Sequence, residues 1–290
     1  MDWTTGIQNA INYVEEHLCE EIDYEAVAGQ AASSSFYFQK IFHSLCGISL
    51  GEYIRCRRLA LAGSELKSGR CKVIDVALKY GYESPESFSR AFSKFHGVSP
   101  SMAKKESTKL RSFSRISLKL IINGGNSMEY KIIKKEAFDV VEKAEIHSLD
   151  NGENTHTIPD FWSRSRKDGT IEELLELASD QKFLFGICYG NGKESPETFE
   201  YAIGAVCGED TMVPEGFRKT TIPACTWAVF ECTGAMPEAI QEKWNEIVTT
   251  FFPTSGYVPT YEMDIEAYTD GDMSCPDYKS EIWVPVIQKQ

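Results

Sequence analysis

Laid against itself fifty residues out of phase, the chain repeats: FQKIFHSLCGIS from Phe38 matches FSRAFSKFHGVS from Phe88. A segment that recurs within one chain is one structural unit used twice, so any fold proposed for the first half must contain two copies of it. Phe38 pairs with Phe88, Phe42 with Phe92, Leu45 with Phe95 and Ile48 with Val98, while Gly47 recurs as Gly97. Apolar residues at three- and four-residue steps form one face of a helix, and a glycine just beyond them is a left-handed helix stop. Gln39 with Ser89 and Lys40 with Arg90 fall on the opposite, polar face.

Each copy is preceded by a short helical stretch and a tight turn, YEAVAGQA then ASSS, and VIDVALKY then GYESP. Helix, turn and helix with a polar outer face is the helix-turn-helix arrangement, whose second helix enters the major groove of double-stranded DNA. Helical periodicity also runs through Ile7 to Leu18 and Leu50 to Leu66, so the first half is expected to be all helix. Two reading helices joined by the second of these stretches would stand about one DNA turn, roughly 34 Å, apart.

The segment DVALKYGYESPESFSRAFSKFHGVSP, Asp75 to Pro100, resembles the signature of the AraC family of transcription regulators, and the resemblance covers about residues 5 to 105. It implies base-facing residues at Phe36, Gln39 and Lys40 in the first unit and at Glu86, Ser87 and Arg90 in the second. The residue types suit that role: Arg and Lys reach guanine, Gln adenine, Glu the cytosine amino group, and an apolar edge the thymine methyl. Ser33, Ser34 and Ser84, at the helix starts, and Arg55, Arg57 and Arg58, in the connecting helix, suit phosphate. One departure stands out. Where the family's first turn carries glycine this chain has Ala32, and a left-handed turn there would cost about 1 kcal/mol or more.

A net charge of −13 argues against nucleic acid only as an average. Residues 1 to 127 hold sixteen Lys and Arg against thirteen Asp and Glu, and residues 128 to 290 hold fourteen against thirty. The second half alternates apolar and polar residues over KFLFGICYG, TFEYAIGAV, TWAVFECTG, YEMDIEAYT and SEIWVPV, with helical patterns near Ile171 to Ala178 and Met236 to Phe251. The expected fold is therefore two domains: an all-α double helix-turn-helix domain over 1–110, a polar linker over 111–127, and an α+β domain over 128–290 built of two strand-helix-strand-strand repeats. No apolar run is long enough to cross a membrane and the start lacks a signal peptide, so a cytoplasmic protein is expected. Nine scattered cysteines form no CxxC pair and are read as small apolar residues, with no metal or cofactor expected.

The second half resembles the GyrI-like effector-binding domain, most specifically in FFPTSGYVPTYEMDIEAY and SEIWVPV. The resemblance implies a cleft between the two repeats that binds small molecules against aromatic walls, with Glu262 as the penultimate-strand glutamate and Glu281 and Trp283 in the last-strand motif. Tyr261, Trp162, Tyr189, Trp227 and Phe230 are further candidates for the lining. Rings and a poorly solvated carboxylate together attract a lipophilic cation. The leading expectation is thus a DNA-binding regulator controlled by a small-molecule effector and acting with RNA polymerase. The alternatives make the second half a small-molecule hydrolase or a module for a protein partner, but no nucleophile and base stand at recognisable spacing, so no catalytic residues are expected.

Overall fold

The periodic stretches of the first half are helices in the computed structural model, which describes residues 3–117, 128–180, 182–190, 198–260 and 263–289. Helices α1 (Trp3–Glu16), α2 (Tyr24–Gly29), α4 (Leu50–Lys67), α5 (Val73–Lys79), α6 (Pro85–His96) and α7 (Pro100–Ala103) belong to one compact unit. Its second half packs around Leu59, Leu66, Val76, Tyr80, Phe88 and Phe92. Phe88 and Phe92 are the repeat's apolar positions, as the pattern requires. Gly97 ends α6 in the left-handed region at φ 75°, its N–H donating to Ser93 O. The helix starts at Ser84, whose hydroxyl accepts from Ser87 N at 3.1 Å.

The segment after α7 lies against this unit. Arg111 N donates to His96 Nδ1, Ile116 N to Tyr53 Oη, and Phe113 O accepts from Arg57. The polar linker expected over 111–127 is therefore tied down through residue 116, and its remainder from 118 lies outside the described residues.

Helix α3 (Ser35–Cys46), the first copy of the repeat, carries the same ends as α6: Ser34 accepts from Tyr37 N and Gly47 caps at φ 69°. Residues 33–47 nonetheless group with the second half of the chain. That second unit is an antiparallel sheet with helices. Its strands are β1 (Lys131–Lys135), β2 (Phe138–Ser148), β3 (Leu184–Tyr189), β4 (Thr198–Val206), β5 (Arg218–Ile222), β6 (Cys225–Thr233), β7 (Tyr257–Pro259), β8 (Met263–Tyr268) and β9 (Lys279–Gln288). Helices α8 (Asn154–Lys167) and α9 (Thr170–Leu177) fall between β2 and β3. Helix α10 (Glu238–Glu246), continued by a π-turn over Ile247–Phe251, falls between β6 and β7.

Among the described residues the sheet runs β1-β6-β9-β8-β3-β4-β2-β5, with β7 added on β9. Exchanging the two repeats reproduces the same order reversed, so the halves are related by a pseudo-twofold passing between β3 and β8. Each repeat opens with two strands rather than the one expected, because the extended runs break at Glu136–Ala137 and at Pro223–Ala224. Proline cannot donate to the ladder, which accounts for the second break. The short strand of each repeat then pairs with the long strand of the other, Ile133 opposite Trp227 and Val140 opposite Thr220. Helices α8 and α10 cover one face. The opposite face carries Val140, Phe185, Ile187, Trp227, Ile265 and Trp283 as one apolar cluster. Cysteines 56, 188, 207 and 232 are buried, whereas Cys19 is exposed and the other four are half-buried.

Candidate functional site

Strand alternation sends Asp264, Glu266 and Tyr268 of β8 to the helix-covered face, beside the pseudo-twofold. Opposite Glu266 on β3 stands Gly186. A Cβ there would lie 2.1 Å from Tyr201 Oη and 3.3 Å from the Tyr268 ring, so the missing side chain is what lets these rings close over the strand. Tyr201 Oη in turn accepts from Trp162 Nε1 at 2.9 Å, and Trp162 stands edge-on to Tyr268 with centroids 5.1 Å apart. From the other repeat, Trp244 Nε1 of α10 donates to Glu266 Oε1 at 3.2 Å, and Tyr268 Oη donates to Oε2 at 2.8 Å.

These groups floor a cavity of about 650 Å³ between α8 and α10, lined by Trp162, Trp244, Glu266 and Tyr268 among others. Burial pushes the Glu266 carboxyl above its ordinary range, while the Lys40 ammonium and the two hydrogen bonds pull the other way. Asp264, fully buried, binds Lys40 Nζ at 2.7 Å, and its Oδ2 has no hydrogen-bond partner among the described residues. Lys40 Nζ also sits 4.0 Å from the centre of the Trp244 ring. The Asp264 and Glu266 charges hold its ammonium form against desolvation.

The expected effector residues separate. Trp162 lines this cavity. Tyr189, Trp227, Glu281 and Trp283 lie on the opposite face: Tyr189 Oη donates to Glu142 Oε2 at 2.6 Å, and Trp283 Nε1 to Glu281 Oε2 at 2.7 Å. Glu281 and Trp283 there border a smaller pocket of about 240 Å³ with Lys131, Lys135 and Lys182. Phe230 shares the helix-covered face but packs edge-on against Phe251, 4.8 Å between centroids. Tyr261 and Glu262 lie outside the described residues. Glu266, which the sequence reading passed over, has the same strand parity as Glu262, so the alternation itself contained the signal.

The expected DNA-reading residues separate as well. Glu86 and Arg90 of α6 are exposed, and Ser87, half-buried, donates its hydroxyl to Ser84 O at 2.8 Å. In the first copy Phe36 and Gln39 are each only 4% exposed, and the Phe36 ring meets Phe199 at 4.9 Å. Ser34 and Ser84 spend their hydroxyls as helix caps, and Ser33 Oγ donates to Ser34 O. Of the connecting-helix arginines, Arg55 is exposed beside Glu52, whereas Arg57 holds Glu15 and Arg58 donates to Leu18 O and Glu20 O. In this arrangement Arg57 and Arg58 act as ties within the helical unit.

The helix-turn-helix domain family matches residues 27–106, and the family described as integron-associated effector binding protein matches residues 131–286. The uncharacterized HTH-type transcriptional regulator YbfP of Bacillus subtilis is 33% identical over 138 residues, 46% of this chain and 47% of YbfP, so the chain spans about half the length of that relative. The HTH-type transcriptional activator AarP of Providencia stuartii is 33% identical over 102 residues, 35% of this chain and 76% of AarP. The structure of SAV2435 bound to tetraphenylphosphonium is 24% identical with a TM-score of 0.49, covering 55% of this chain and 94% of that one. The chain belongs to the integron-associated effector-binding proteins, of GyrI-like type, and carries an AraC-type helix-turn-helix domain ahead of that domain.

Proposed function

We propose that the chain is a DNA-binding transcription regulator whose cavity between α8 and α10 takes a lipophilic cation as its effector. The observation that carries this is Glu266: a carboxylate facing a cavity of ligand size, held by Trp244 and Tyr268 and walled by Trp162. Aromatic faces attract a cation through their quadrupole, and a carboxylate removed from water gains more from a cationic ligand than from a neutral one. A concave site of this volume also favours a small molecule over a flat protein partner. On the DNA side the reading rests on the AraC-type domain, with Glu86, Ser87 and Arg90 of α6 as base-facing residues, and contact with RNA polymerase belongs to the same proposal.

The test is a titration of the full chain with tetraphenylphosphonium, a neutral amphiphile and an organic anion, followed by tryptophan fluorescence. Saturable quenching by the cation that weakens by about tenfold or more in Glu266→Gln is expected. Equal binding of the neutral compound, or an unchanged Glu266→Gln, would remove the carboxylate from the effector site.

A further inference from the structure

We infer that Lys40 of α3 is a built-in occupant of the effector site, so that entry of a cationic effector and release of the first DNA-reading helix are one exchange. This rests on the cavity being the effector site.

Two carboxylates at neighbouring same-face positions of a buried strand are costly unless a cation offsets them. Here the cation comes from α3. Lys40 Nζ reaches Asp264 at 2.7 Å, lies 3.9 Å from Cys188 Sγ and stands over the Trp244 ring at 4.0 Å, with only 21% of its side chain exposed. It meets the anion-and-ring chemistry that a lipophilic cation would need. Tyr37, Lys40, Ile41 and Ser44, at helical spacing, form part of the cavity wall, and His43 adds a ring whose Nδ1 has no partner among the described residues. The wall is thus completed by a helix whose Phe36, Gln39 and Lys40 are the very positions that the AraC resemblance assigns to base edges.

One helical surface cannot lie in a major groove and in this cavity at once. With α3 docked, Phe36 and Gln39 are buried and unable to read DNA. Withdrawing Lys40 alone would leave Asp264 buried and uncompensated. An incoming cation supplies the replacement charge, which makes the exchange far less costly than simple undocking. By linkage, docking of α3 reduces the apparent affinity for the cation in proportion to the fraction of molecules in which the site is free. The ligand and DNA would then favour the same undocked state, which is the differential affinity that coupling requires.

The experiment uses the full chain with Asp264→Asn and Lys40→Met, the second leaving the sheet's own residues untouched in case the first impairs folding. Amide hydrogen exchange across residues 35–46 is read without ligand, and exchange about tenfold faster in both variants is expected. Unchanged protection of α3 in both overturns the inference. Tetraphenylphosphonium is then titrated, and about tenfold tighter binding to Lys40→Met than to the unsubstituted chain is expected. Equal affinity, with Glu266→Gln still losing the cation, overturns the exchange while leaving the effector site standing. No binding to any of the chains removes the effector-site reading and the exchange with it.

Discussion

The two copies of the repeat share their caps and their apolar face, yet they present opposite surfaces. Helix α6 leaves Glu86 and Arg90 exposed, with Phe88 and Phe92 buried beneath them. Helix α3 has the same hydroxyl start and glycine stop, but Phe36 and Gln39 are buried on its polar side and Lys40 is committed to Asp264. Identical local rules produced two helices; what differs is the partner each outer face has. A helix of the repeat can thus be fully formed while residues of its outer face are buried.

The sharpest way to break this comparison is through the core under α6. Phe92 is fully buried and packs against Phe88 at 5.4 Å and His96 at 4.2 Å. Phe92→Ala is expected to cost the helical unit about 3 to 5 kcal/mol in denaturant melts and to abolish specific DNA binding. Specific binding that survives the loss would mean that α6 is not the open reader.

A smaller effect separates the helices directly. Without a cation, Arg90→Ala is expected to weaken specific DNA binding by about 1 to 3 kcal/mol in anisotropy titrations at fixed salt, whereas Gln39→Ala changes little. With saturating tetraphenylphosphonium, Gln39→Ala should acquire a cost of its own. If Gln39→Ala costs as much without cation as with it, α3 reads DNA in both states and the contrast collapses.

The second carboxylate near Lys40, Glu266, also predicts a pH response. Burial raises the Glu266 pKa, with Lys40, Asp264, Tyr268 and Trp244 facing it. Protonation removes the negative charge, so cation affinity should fall as pH is lowered, beginning above the ordinary carboxylate range and amounting to about tenfold across the titration. Glu266→Gln should remove that part of the fall.

Much of the fold was legible because its signals are local. Period and glycine stops placed α3 and α6, and alternation placed β4 over Thr198–Val206, the stretch the pattern marks. Helix α8, polar on average and with Pro159 inside it, was not legible. Nor was the exchange of short strands between repeats, because which strand pairs with which is set by the sheet as a whole. The site shows the same limit. Alternation puts Asp264 and Glu266 on one face, but only the packing of α10 over β8 picks out Glu266, through Trp244. Helical periodicity marks the polar sides of α3 and α6 alike as open, DNA-facing surfaces, since it cannot report a partner distant in sequence, such as Asp264 for Lys40.

The smallest effect lies in the two turns themselves. In the second, Gly81 takes the left-handed conformation at φ 80°; in the first, Ala32 takes it at φ 49°, one place later in the repeat register. The conformation that the sequence marked as costly for alanine is thus adopted. Ala32→Gly removes the clash of Cβ with the backbone but frees the unfolded chain, so a net stabilisation of the helical unit of about 0.5 kcal/mol is expected. Gly81→Ala should act with the opposite sign and more strongly, about 1 to 2 kcal/mol. A Cβ at Gly81 would meet Arg58 Nη1 at 2.9 Å, and that guanidinium is held by Leu18 O and Glu20 O rather than free to swing away. Thermal melts of the two variants measure both. If Ala32→Gly destabilises as Gly81→Ala does, the first turn carries no strain, and the difference between the two units rests on their outer faces alone.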